Sequence, residues 1–435
     1  MPPKKKILII TYYWPPCGGA GVQRWLKFTK YMPQFGWEPY VLTVDPDYAE
    51  YPVIDTDLLD DVHPDLCVFY TKAPKKIFQL YKKITGKKIL PYGGFSNENK
   101  AGFIDKVIRF VRGNFFLPDP RRGWNRELIK KSEEIIETKG IKIVITTSPP
   151  HSTQLAGMKL KKKRDITWIA DIRDPWTDIY YNVKLNQTFW ASMINKKMET
   201  RVLRTADKIM VTCNATEELF RSKLPGNEIN DKILTLTNGY DEEDFNVEDI
   251  KIPERFTITY LGTFADNYNI DILLDIIEKQ IPVNGSGIDI RFIGGISKST
   301  ADKLNNNWNI SFEFIQYLNH NDAVKSLMES SALLLVIPVS NKTREMIPGK
   351  LFEYLAARRP IIALGPKTSD VADILNHTNS GKIFNNNDAQ TLSEYIRHLI
   401  INFQKGEIKV RSTGIQQYSR KNLSFRLTSI LNELK

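Results

Sequence analysis

The stretch from Ala332 to Gly365 decides the fold of this chain. It reads Ala332-Leu-Leu-Leu-Val-Ile-Pro-Val339, then Glu345-Met-Ile-Pro-Gly-Lys-Leu-Phe-Glu353, then Tyr354-Leu-Ala-Ala-Arg-Arg-Pro-Ile-Ile-Ala-Leu-Gly365. The first apolar run predicts a buried strand, and Pro348 fits the first turn of a helix because its missing N–H would be unpaired there. A second apolar run follows Pro360 and predicts another strand. A strand, a helix and a strand in this order predict one unit of a parallel sheet.

Two glutamates lie eight positions apart around the predicted start of this helix. Glu345 comes before the helix and Glu353 lies inside it. The free N–H groups of a helix start bind phosphate with the help of the helix dipole, and carboxylates on either side accept hydrogen bonds from sugar hydroxyls. The pattern suits a sugar diphosphate. The alternative is a loop charge and an exposed helix position, because two glutamates at this spacing also arise by chance.

Length and composition predict two globular domains in a reducing cytoplasm. The chain has 435 residues, of which 42% are hydrophobic, and single compact domains rarely grow this large. No window reaches the roughly 18 to 20 uninterrupted apolar residues of a bilayer span, so we expect neither a signal peptide nor a transmembrane helix. The three cysteines are widely spaced and form no Cys-x-x-Cys pair, which predicts neither disulfides nor a zinc site.

The formal net charge of +11 attracts polyanions, and three classes of partner fit it. These are nucleic acid, an anionic membrane face and nucleotide diphosphates, and charge alone does not choose among them. The aromatic residues do not form a stacking platform on a recognisable nucleic-acid module. We therefore expect no nucleic-acid partner.

The first half of the chain opens with a strand, a glycine-rich loop and a helix. Residues Lys5 to Thr11 predict a buried strand, and Pro15-Pro-Cys-Gly-Gly-Ala-Gly21 precedes the helical stretch Val22 to Met32. Glycines let the backbone approach a ligand closely, but the spacing is not Gly-x-Gly-x-x-Gly. A ligand-binding loop and a tight turn fit these residues equally well.

Polar residues also follow two later strands. His151 comes after the predicted strand Ile141 to Thr147, at the strand end where open α/β sheets place ligand groups, although a simple loop histidine fits nearly as well. The segment Trp168-Ile-Ala-Asp-Ile-Arg-Asp-Pro-Trp-Thr-Asp178 ends another strand with three acids and an arginine. Arg173 either contacts a ligand there or pairs with Asp171 or Asp174 to hold a loop.

Strands and helices continue to alternate in the second half of the chain, which predicts a second parallel sheet. The predicted elements are the strands Phe256 to Leu261, Ile288 to Ile293 and Phe312 to Leu318, and the helix Asp322 to Glu329. The fold class is therefore α/β, with two Rossmann-like domains. We expect domain boundaries at 1–248 and 249–415, with residues 416–435 as a final helix.

Taken together, these motifs resemble retaining glycosyltransferases of the GT-B architecture, similar to family four and to its bacterial surface-polysaccharide branch. The resemblance rests on the Glu-x7-Glu spacing, on the loop Trp14 to Arg24, on the segment 168–178 and on Leu234 to Phe245, which is similar to the family's Asn-Gly-x-Asp segment. It implies a cleft between the two domains and a last helix that returns to the first domain.

The resemblance also implies roles for individual residues. Two residues would be catalytic: Glu345 would face the donor sugar, and His151 would lie beside that sugar and hydrogen-bond one of its hydroxyls. The implied donor-binding residues are Glu353, Lys350, Gly349, Gly18, Gly19, Tyr317 and Leu318. The implied residues of the acceptor side and the cleft are Arg24, Asp171, Arg173 and Asp174.

One segment departs from the family pattern. Gly262-Thr-Phe-Ala-Asp-Asn-Tyr-Asn269 lacks the Arg and Lys that usually follow the first strand of the second domain and hold the diphosphate. Nearby cations are Lys342, Arg344 and Lys350, and Lys350 lies at the helix start, where an ammonium reaches phosphate oxygens. We expect Lys350 to replace the missing pair, without a metal ion or another cofactor.

A basic and aromatic stretch between Lys75 and Trp124 predicts either a membrane-facing patch or an ordinary core-packed helix, since the positions from Phe103 to Phe116 partly follow helical periodicity. The resemblance implies a cytoplasmic enzyme, peripheral on the membrane, that moves a sugar from a nucleotide diphosphate sugar to a sugar or lipid-linked acceptor during capsule, exopolysaccharide or lipopolysaccharide synthesis. Two alternatives remain: a catalytically idle nucleotide-sugar-binding scaffold, and a sugar-nucleotide epimerase of the same architecture.

Overall fold

The computed structural model describes residues 4–75, 103–179, 185–224, 231–280, 287–338 and 347–434, and the single residues Gln79, Lys83 and Asn182. The chain divides into two compact units. The first contains Met1–Asn238 together with Arg420–Lys435, and the second contains Gly239–Ser419. The chain passes from the first unit to the second at 238/239 and returns at 419/420. The corresponding boundaries predicted from the sequence are 248/249 and 415/416.

The first unit is built on a seven-stranded parallel sheet in the order β3-β2-β1-β4-β5-β6-β7. Its strands are β1 Lys5–Ile10, β2 Trp37–Val44, β3 Cys67–Thr71, β4 Ile143–Ser148, β5 Thr167–Ile172, β6 Lys208–Val211 and β7 Ile233–Thr235. The run Ile7 to Ile10 is completely buried, as expected for a parallel strand with both faces covered.

Helices cover this sheet. They are α1 Ala20–Tyr31, α2 Phe103–Phe115, α3 Asn125–Lys139, α4 Ser152–Lys163, α5 Phe189–Thr205, α6 Asn214–Lys223 and α13 Arg420–Glu433. α13 packs on α1 and buries Leu423, Leu427 and Leu431, whose spacing of four residues places them on one helix face. The predicted return of the last helix to the first domain is confirmed.

The second unit is built on a six-stranded parallel sheet in the order β10-β9-β8-β11-β12-β13. Its strands are β8 Phe256–Leu261, β9 Ile288–Ile293, β10 Ser311–Ile315, β11 Ala332–Val336, β12 Ile361–Leu364 and β13 Gly381–Phe384. Its helices are α7 Asp271–Gln280, α8 Lys298–Asn307, α9 His320–Met328, α10 Lys350–Ala357, α11 Asp370–Thr378 and α12 Ala389–Gln404. The predicted class, α/β with two Rossmann-like domains, is confirmed.

Each sheet has one position where the chain changes its direction of travel across the sheet. In the first unit it lies between the neighbouring strands β1 and β4, and in the second between β8 and β11. The loops that follow two such strands diverge to opposite faces of the sheet, and the crevice between them is where open α/β sheets bind ligands. None of the described helices is long and apolar enough to cross a membrane.

Candidate functional site

In the second unit, Lys350 and Gly262 meet at the β8/β11 position. Gly262 directly follows β8, and Lys350 is the first residue of α10, the helix that comes after β11. The Lys350 ammonium donates a hydrogen bond of 2.7 Å to the hydroxyl of Tyr260 and lies 3.9 Å from the centre of its ring. The Tyr260 hydroxyl in turn donates to the carbonyl of Thr263 at 2.8 Å. A cation from α10 therefore reaches the loop after β8.

The pKa of the Lys350 ammonium falls to about 7 in this position. Desolvation is the main cause, because burial disfavours the charged form, and the carboxylate of Glu353 opposes it. A lysine that is partly neutral near pH 7 gains charge when an anion arrives beside it. The environment of Lys350 thus suits a site that is occupied by a phosphate group.

Two glycines allow the loops after β8 and β9 to approach each other closely beside Lys350. Gly262 has φ +103°, and a side chain on it would lie 3.1 Å from the Lys350 ammonium. Gly294 follows β9 with φ +120°, and a side chain on it would lie 2.8 Å from the carbonyl oxygen of Gly262. Both positions require the left-handed backbone that favours glycine. The two loops can therefore lie against each other and leave room beside Lys350.

The start of α10 is ordered by its own backbone and by Tyr354. Leu351 N–H donates to the carbonyl of Pro348 at 3.0 Å, so the chain turns into the helix at Gly349, which precedes its first residue. The buried Tyr354 hydroxyl accepts from Leu261 N–H at 2.9 Å and donates to the carbonyl of Leu334 at 3.2 Å. Tyr354 thereby fixes α10 to the end of β8 and to the middle of β11. Glu353 is half-buried in the first turn of the helix.

The remaining donor-side residues that the sequence analysis names in this unit are Glu345, Tyr317 and Leu318. Glu345 lies outside the described residues, as do Lys342 and Arg344. Tyr317 and Leu318 follow β10, at the same edge of the sheet as Gly262 and Gly294. Tyr317 is exposed and Leu318 is half-buried.

In the first unit, the glycine-rich loop follows β1 at the β1/β4 position. Gly18 is buried against the segment Val53 to Asp55, and its N–H donates to the carbonyl of Val53 at 2.9 Å. A side chain at Gly18 would lie about 3 Å from both Val53 and Asp55, so close loop packing explains this glycine. Gly19 has φ +92° and is exposed at the start of α1, with nothing within 4 Å of a side-chain position. Gly19 is the one of the pair that leaves room for a ligand.

Arg173 links the two loops of this position. Its Nη1 donates to the carbonyl of Gly21 at the start of α1 at 2.7 Å, and its Nε donates to the carbonyl of Ser148 at the end of β4 at 3.0 Å. The guanidinium is half-buried. A fixed positive charge therefore lies between the loops that follow β1 and β4.

His151 precedes α4 and stacks on a tryptophan. Its ring lies 4.8 Å from that of Trp176, with an interplanar angle of 10°. Burial first, and then the charges of Arg173 and Lys223, lower the pKa of His151 to about 3. Its Nδ1 is buried and has no hydrogen-bond partner among the described residues. His151 is therefore a neutral imidazole that is able to donate or accept one hydrogen bond.

Asp174 is a carboxyl group with a raised pKa next to Arg173. Burial is the main cause, Arg173 opposes it, and the charge of Asp171 adds to it. The side chain makes no hydrogen bond within the described part of the chain. Asp174 is thus available to a polar ligand.

Arg24 and Asp171, which the resemblance places on the acceptor side, are buried against each other. Both side chains are completely buried and form an ion pair of 3.3 Å. Asp171 also accepts hydrogen bonds from Trp25 Nε1 and Thr147 Oγ1, both at 2.7 Å. Arg24 donates to the carbonyls of Leu236 and Thr237 and to the side chain of Asn238. The pair ties α1 and β5 to the segment after β7. The sequence analysis did not predict it, because the partner expected for Asp171 was Arg173.

Sequence reasoning missed Tyr260, Gly294 and Trp176. Tyr260 lies inside an apolar strand and resembles an ordinary core residue, and only its contact with Lys350 reveals its place. Trp176 lies within the segment 168–178, but no local pattern there predicts its contact with His151. In the described ranges, no three His, Cys, Asp or Glu side chains are placed to hold a metal ion.

Residues 255–402 match the family model described as glycosyl transferases group 1. The predicted enzyme class, a glycosyltransferase, is confirmed. The matched region lies entirely in the second unit and contains Lys350, Glu353 and the loop after β8. No curated protein matches the chain in sequence.

Solved structures with the same fold cover nearly the whole chain of this glycosyltransferase. Sucrose-phosphate synthase from Thermosynechococcus elongatus is 12% identical, with a TM-score of 0.64 and 99% of each chain covered. The Anabaena protein HepE, solved in complex with UDP-glucose, is 12% identical, with a TM-score of 0.60 and 99% and 100% covered. The lipopolysaccharide outer core galactosyltransferase WaaB, in its apo form, is 12% identical, with a TM-score of 0.58 and 99% and 100% covered. At this identity the likeness shows the fold alone.

Proposed function

We propose that this glycosyltransferase moves a sugar, with retention of configuration, from a nucleotide diphosphate sugar to an acceptor hydroxyl. The second unit binds the donor and the first binds the acceptor. The observation that carries the proposal is the position of Lys350, whose ammonium reaches the loop after β8 and lies beside Gly262. The sequence of that loop lacks the cations expected there, and Lys350 supplies one from another element.

The donor diphosphate lies at the start of α10 in this proposal. The dipole of α10 and the Lys350 ammonium both favour negative charge there. Charge develops on the diphosphate as the bond to the sugar breaks, so groups fixed beside it lower the barrier of the reaction. Glu353, one turn further along α10, accepts from the ribose, and Glu345 holds the donor sugar. Gly349, Tyr317 and Leu318 border the nucleotide.

The proposed reaction forms no covalent intermediate with the enzyme. The bond between the anomeric carbon and the diphosphate oxygen breaks, and the acceptor oxygen forms a new bond on the same face of the sugar. The proton of the acceptor hydroxyl passes to the departing diphosphate. Proximity and fixed charges supply the rate enhancement in such a step.

The acceptor side consists of His151, Arg173, Asp174 and Gly19. Neutral His151 hydrogen-bonds a sugar hydroxyl, and Asp174 accepts from the acceptor. Gly18 shapes the loop, and Arg24 and Asp171 position it from beneath through their buried ion pair. The support for this assignment is the meeting of the loops after β1 and β4 at Arg173.

The proposed setting is bacterial surface-polysaccharide synthesis in the cytoplasm, with a sugar or lipid-linked acceptor. The names of two proteins of the same fold support a first choice of substrates. One was solved with UDP-glucose, and another is a galactosyltransferase of the lipopolysaccharide outer core. We therefore take a UDP-hexose as the first donor to test.

A thermal-shift screen against UDP, GDP, dTDP and their common sugars tests donor binding, because a ligand of the native state raises the apparent stability. The expected result is a selective shift with one nucleotide, followed by release of that nucleotide when an acceptor is added. A selective shift without any release under all acceptor conditions would support the idle scaffold instead. Conversion of the free sugar nucleotide to its epimer would support an epimerase.

A further inference from the structure

The ends of α2 and α5 in the first unit form one connected surface. Asn114, near the end of α2, donates to the carbonyl of Asn186 at 3.2 Å and accepts from Thr188 N–H at 2.7 Å, just before α5 begins. Gln187 donates to the carbonyl of Gly113 at 3.0 Å. The N–H of Ala191 is bonded to the side chain of Thr188, which caps α5. The last turn of α2 and the first turn of α5 are thus held side by side.

Large apolar side chains are exposed at this junction. Phe115 is 75% exposed at the end of α2, and Phe189 and Trp190 are 75% and 67% exposed at the start of α5. The rings of Phe189 and Trp190 contact each other edge to face at 5.6 Å. The exposed apolar set continues along both helices, with Val107, Phe110, Val111 and Ile194. Contiguous exposed apolar surface of this kind marks a contact with a protein or a membrane.

The exposed face of α5 continues from the aromatic residues into a cationic groove. A cavity of about 500 Å³ lies along the helix and is lined by Phe189, Ser192, Met193, Lys196, Lys197, Thr200, Arg201 and Arg204. Four of these side chains are cations, and none is an acid. No carboxylate within the described ranges pairs with Lys196, Lys197 or Arg201. The buried residues of α5, which include Asn195 and Glu199, lie on the opposite face.

We infer that α2 and α5 dock the enzyme on an anionic lipid bilayer. Aromatic rings prefer the headgroup level of a membrane, and a neighbouring row of lysines and arginines attracts anionic headgroups. The surface offers both at once: Phe115, Phe189 and Trp190 for insertion and the groove of α5 for lipid phosphates. This inference extends the lipid-linked acceptor of the proposed function.

A second copy of the chain fits this surface less well than a bilayer does. A two-fold contact brings the same patch of both copies together, so two grooves that each carry four cations and no acid would take part in one interface. Like charges that face each other oppose association.

Two residues at the Trp124 end of the predicted basic and aromatic stretch do not belong to the docking surface. Arg121 and Trp124 are buried in the first unit, so they are not accessible to a bilayer.

The full chain should be sedimented with vesicles of phosphatidylcholine alone and with vesicles that also contain phosphatidylglycerol. We expect binding to the anionic vesicles only, with loss at high salt. Phe189→Ser with Trp190→Ser, and separately Lys196→Glu with Lys197→Glu, should each reduce the bound fraction at least tenfold. The matched controls are Ile401→Ser for exposed apolar surface and Lys298→Glu with Lys303→Glu for exposed charge, and both should bind as the wild type does.

Three results would overturn the inference. The first is equal sedimentation of the wild type and of both double variants. The second is a dimer that the aromatic variant disrupts while no vesicles bind, which would assign the surface to a second copy. The third is stabilisation by soluble glycerol phosphate without any vesicle binding, which would assign the groove to a free anion. Thermal shifts with UDP-glucose, measured on the same variants, separate these outcomes from a failure of the proposed function.

Discussion

The ammonium of Lys350 lies 2.7 Å from the hydroxyl of Tyr260, and the two residues are ninety positions apart in the chain. This contact brings the cation of α10 to the loop that follows β8. The family that the sequence resembles has an Arg and a Lys within that loop. In this chain the cation beside the loop is Lys350, which lies on α10, the helix that follows β11. In the proposed function, this position places a positive charge beside the donor diphosphate.

Lys350→Met should weaken the binding of the nucleotide sugar by about 10- to 100-fold, because a hydrogen bond to a charged group contributes about 1.5–3 kcal/mol. Tyr260→Phe keeps the ring and removes only the hydroxyl that the ammonium contacts, so we expect a smaller loss. Lys303→Met, an exposed residue on α8, is the control. Calorimetric titration measures all four proteins. Wild-type affinity in Lys350→Met contradicts the donor assignment.

The affinity for a nucleotide sugar should fall as pH rises above about 7. The pKa of Lys350 is about 7 in the free protein, and a bound diphosphate raises it, so binding takes up a proton. Affinity is therefore full below pH 7 and decreases by up to about tenfold per pH unit until the pKa of the complex is reached. A nucleotide sugar is the right probe because its diphosphate diester does not titrate near neutral pH. The slope should disappear in Lys350→Met, and a slope that persists there belongs to another group.

His151→Ala should lower kcat by about tenfold, the equivalent of one lost hydrogen bond to the sugar. The pKa of His151 is about 3, so its protonation lies below the working range. The pH profiles of kcat/KM for the wild type and for His151→Gln should therefore have the same shape from about pH 5 to pH 8. A limb near pH 6.5 that is present in the wild type and absent in His151→Gln would show a titrating histidine instead.

Glu345→Gln should lower kcat by about a hundredfold or more, since the carboxylate is proposed to act on the reacting sugar. Glu353→Gln should mainly raise KM for the donor, by about tenfold, because the ribose lies away from the bond that breaks. Initial rates with varied donor concentration separate the two effects. Glu394→Gln, on α12 of the same unit, serves as the comparison. Full activity in Glu345→Gln would remove that residue from the site.

Arg24→Met should destabilise the first unit by about 3–5 kcal/mol, because it leaves the buried carboxylate of Asp171 without its ion pair. The exposed Arg126→Met should change the free energy of unfolding by less than about 0.5 kcal/mol. Denaturant unfolding followed by circular dichroism measures both. A variant with wild-type stability and weakened acceptor binding would restore the acceptor role for Arg24.

The sequence predicted those parts of the fold that depend on local patterns. The strand expected at Phe256 to Leu261 is observed with the same bounds, and the apolar strand expected from Ala332 is observed as Ala332–Val336. Period and apolar run length suffice for such elements. The sites depend on pairs that are distant in the chain, such as Arg24 with Asp171, and no local pattern contains that information. The sequence therefore marked the loops in which functional residues lie, without distinguishing a buried ion pair from a ligand contact.

α13 has a consequence for how the protein is made. Lys5 at the start of β1 is hydrogen-bonded to Asn432 in α13, and Leu423, Leu427 and Leu431 complete the core of the first unit. During synthesis on a ribosome, the first unit has to wait with an uncovered face of α1 until more than 180 further residues have been translated. We expect a nascent chain that is stalled near residue 250 to be sensitive to proteases and to recruit chaperones, whereas the released chain resists both. A stand-alone version of the first unit would need the α13 segment joined to it, as in a circular permutant.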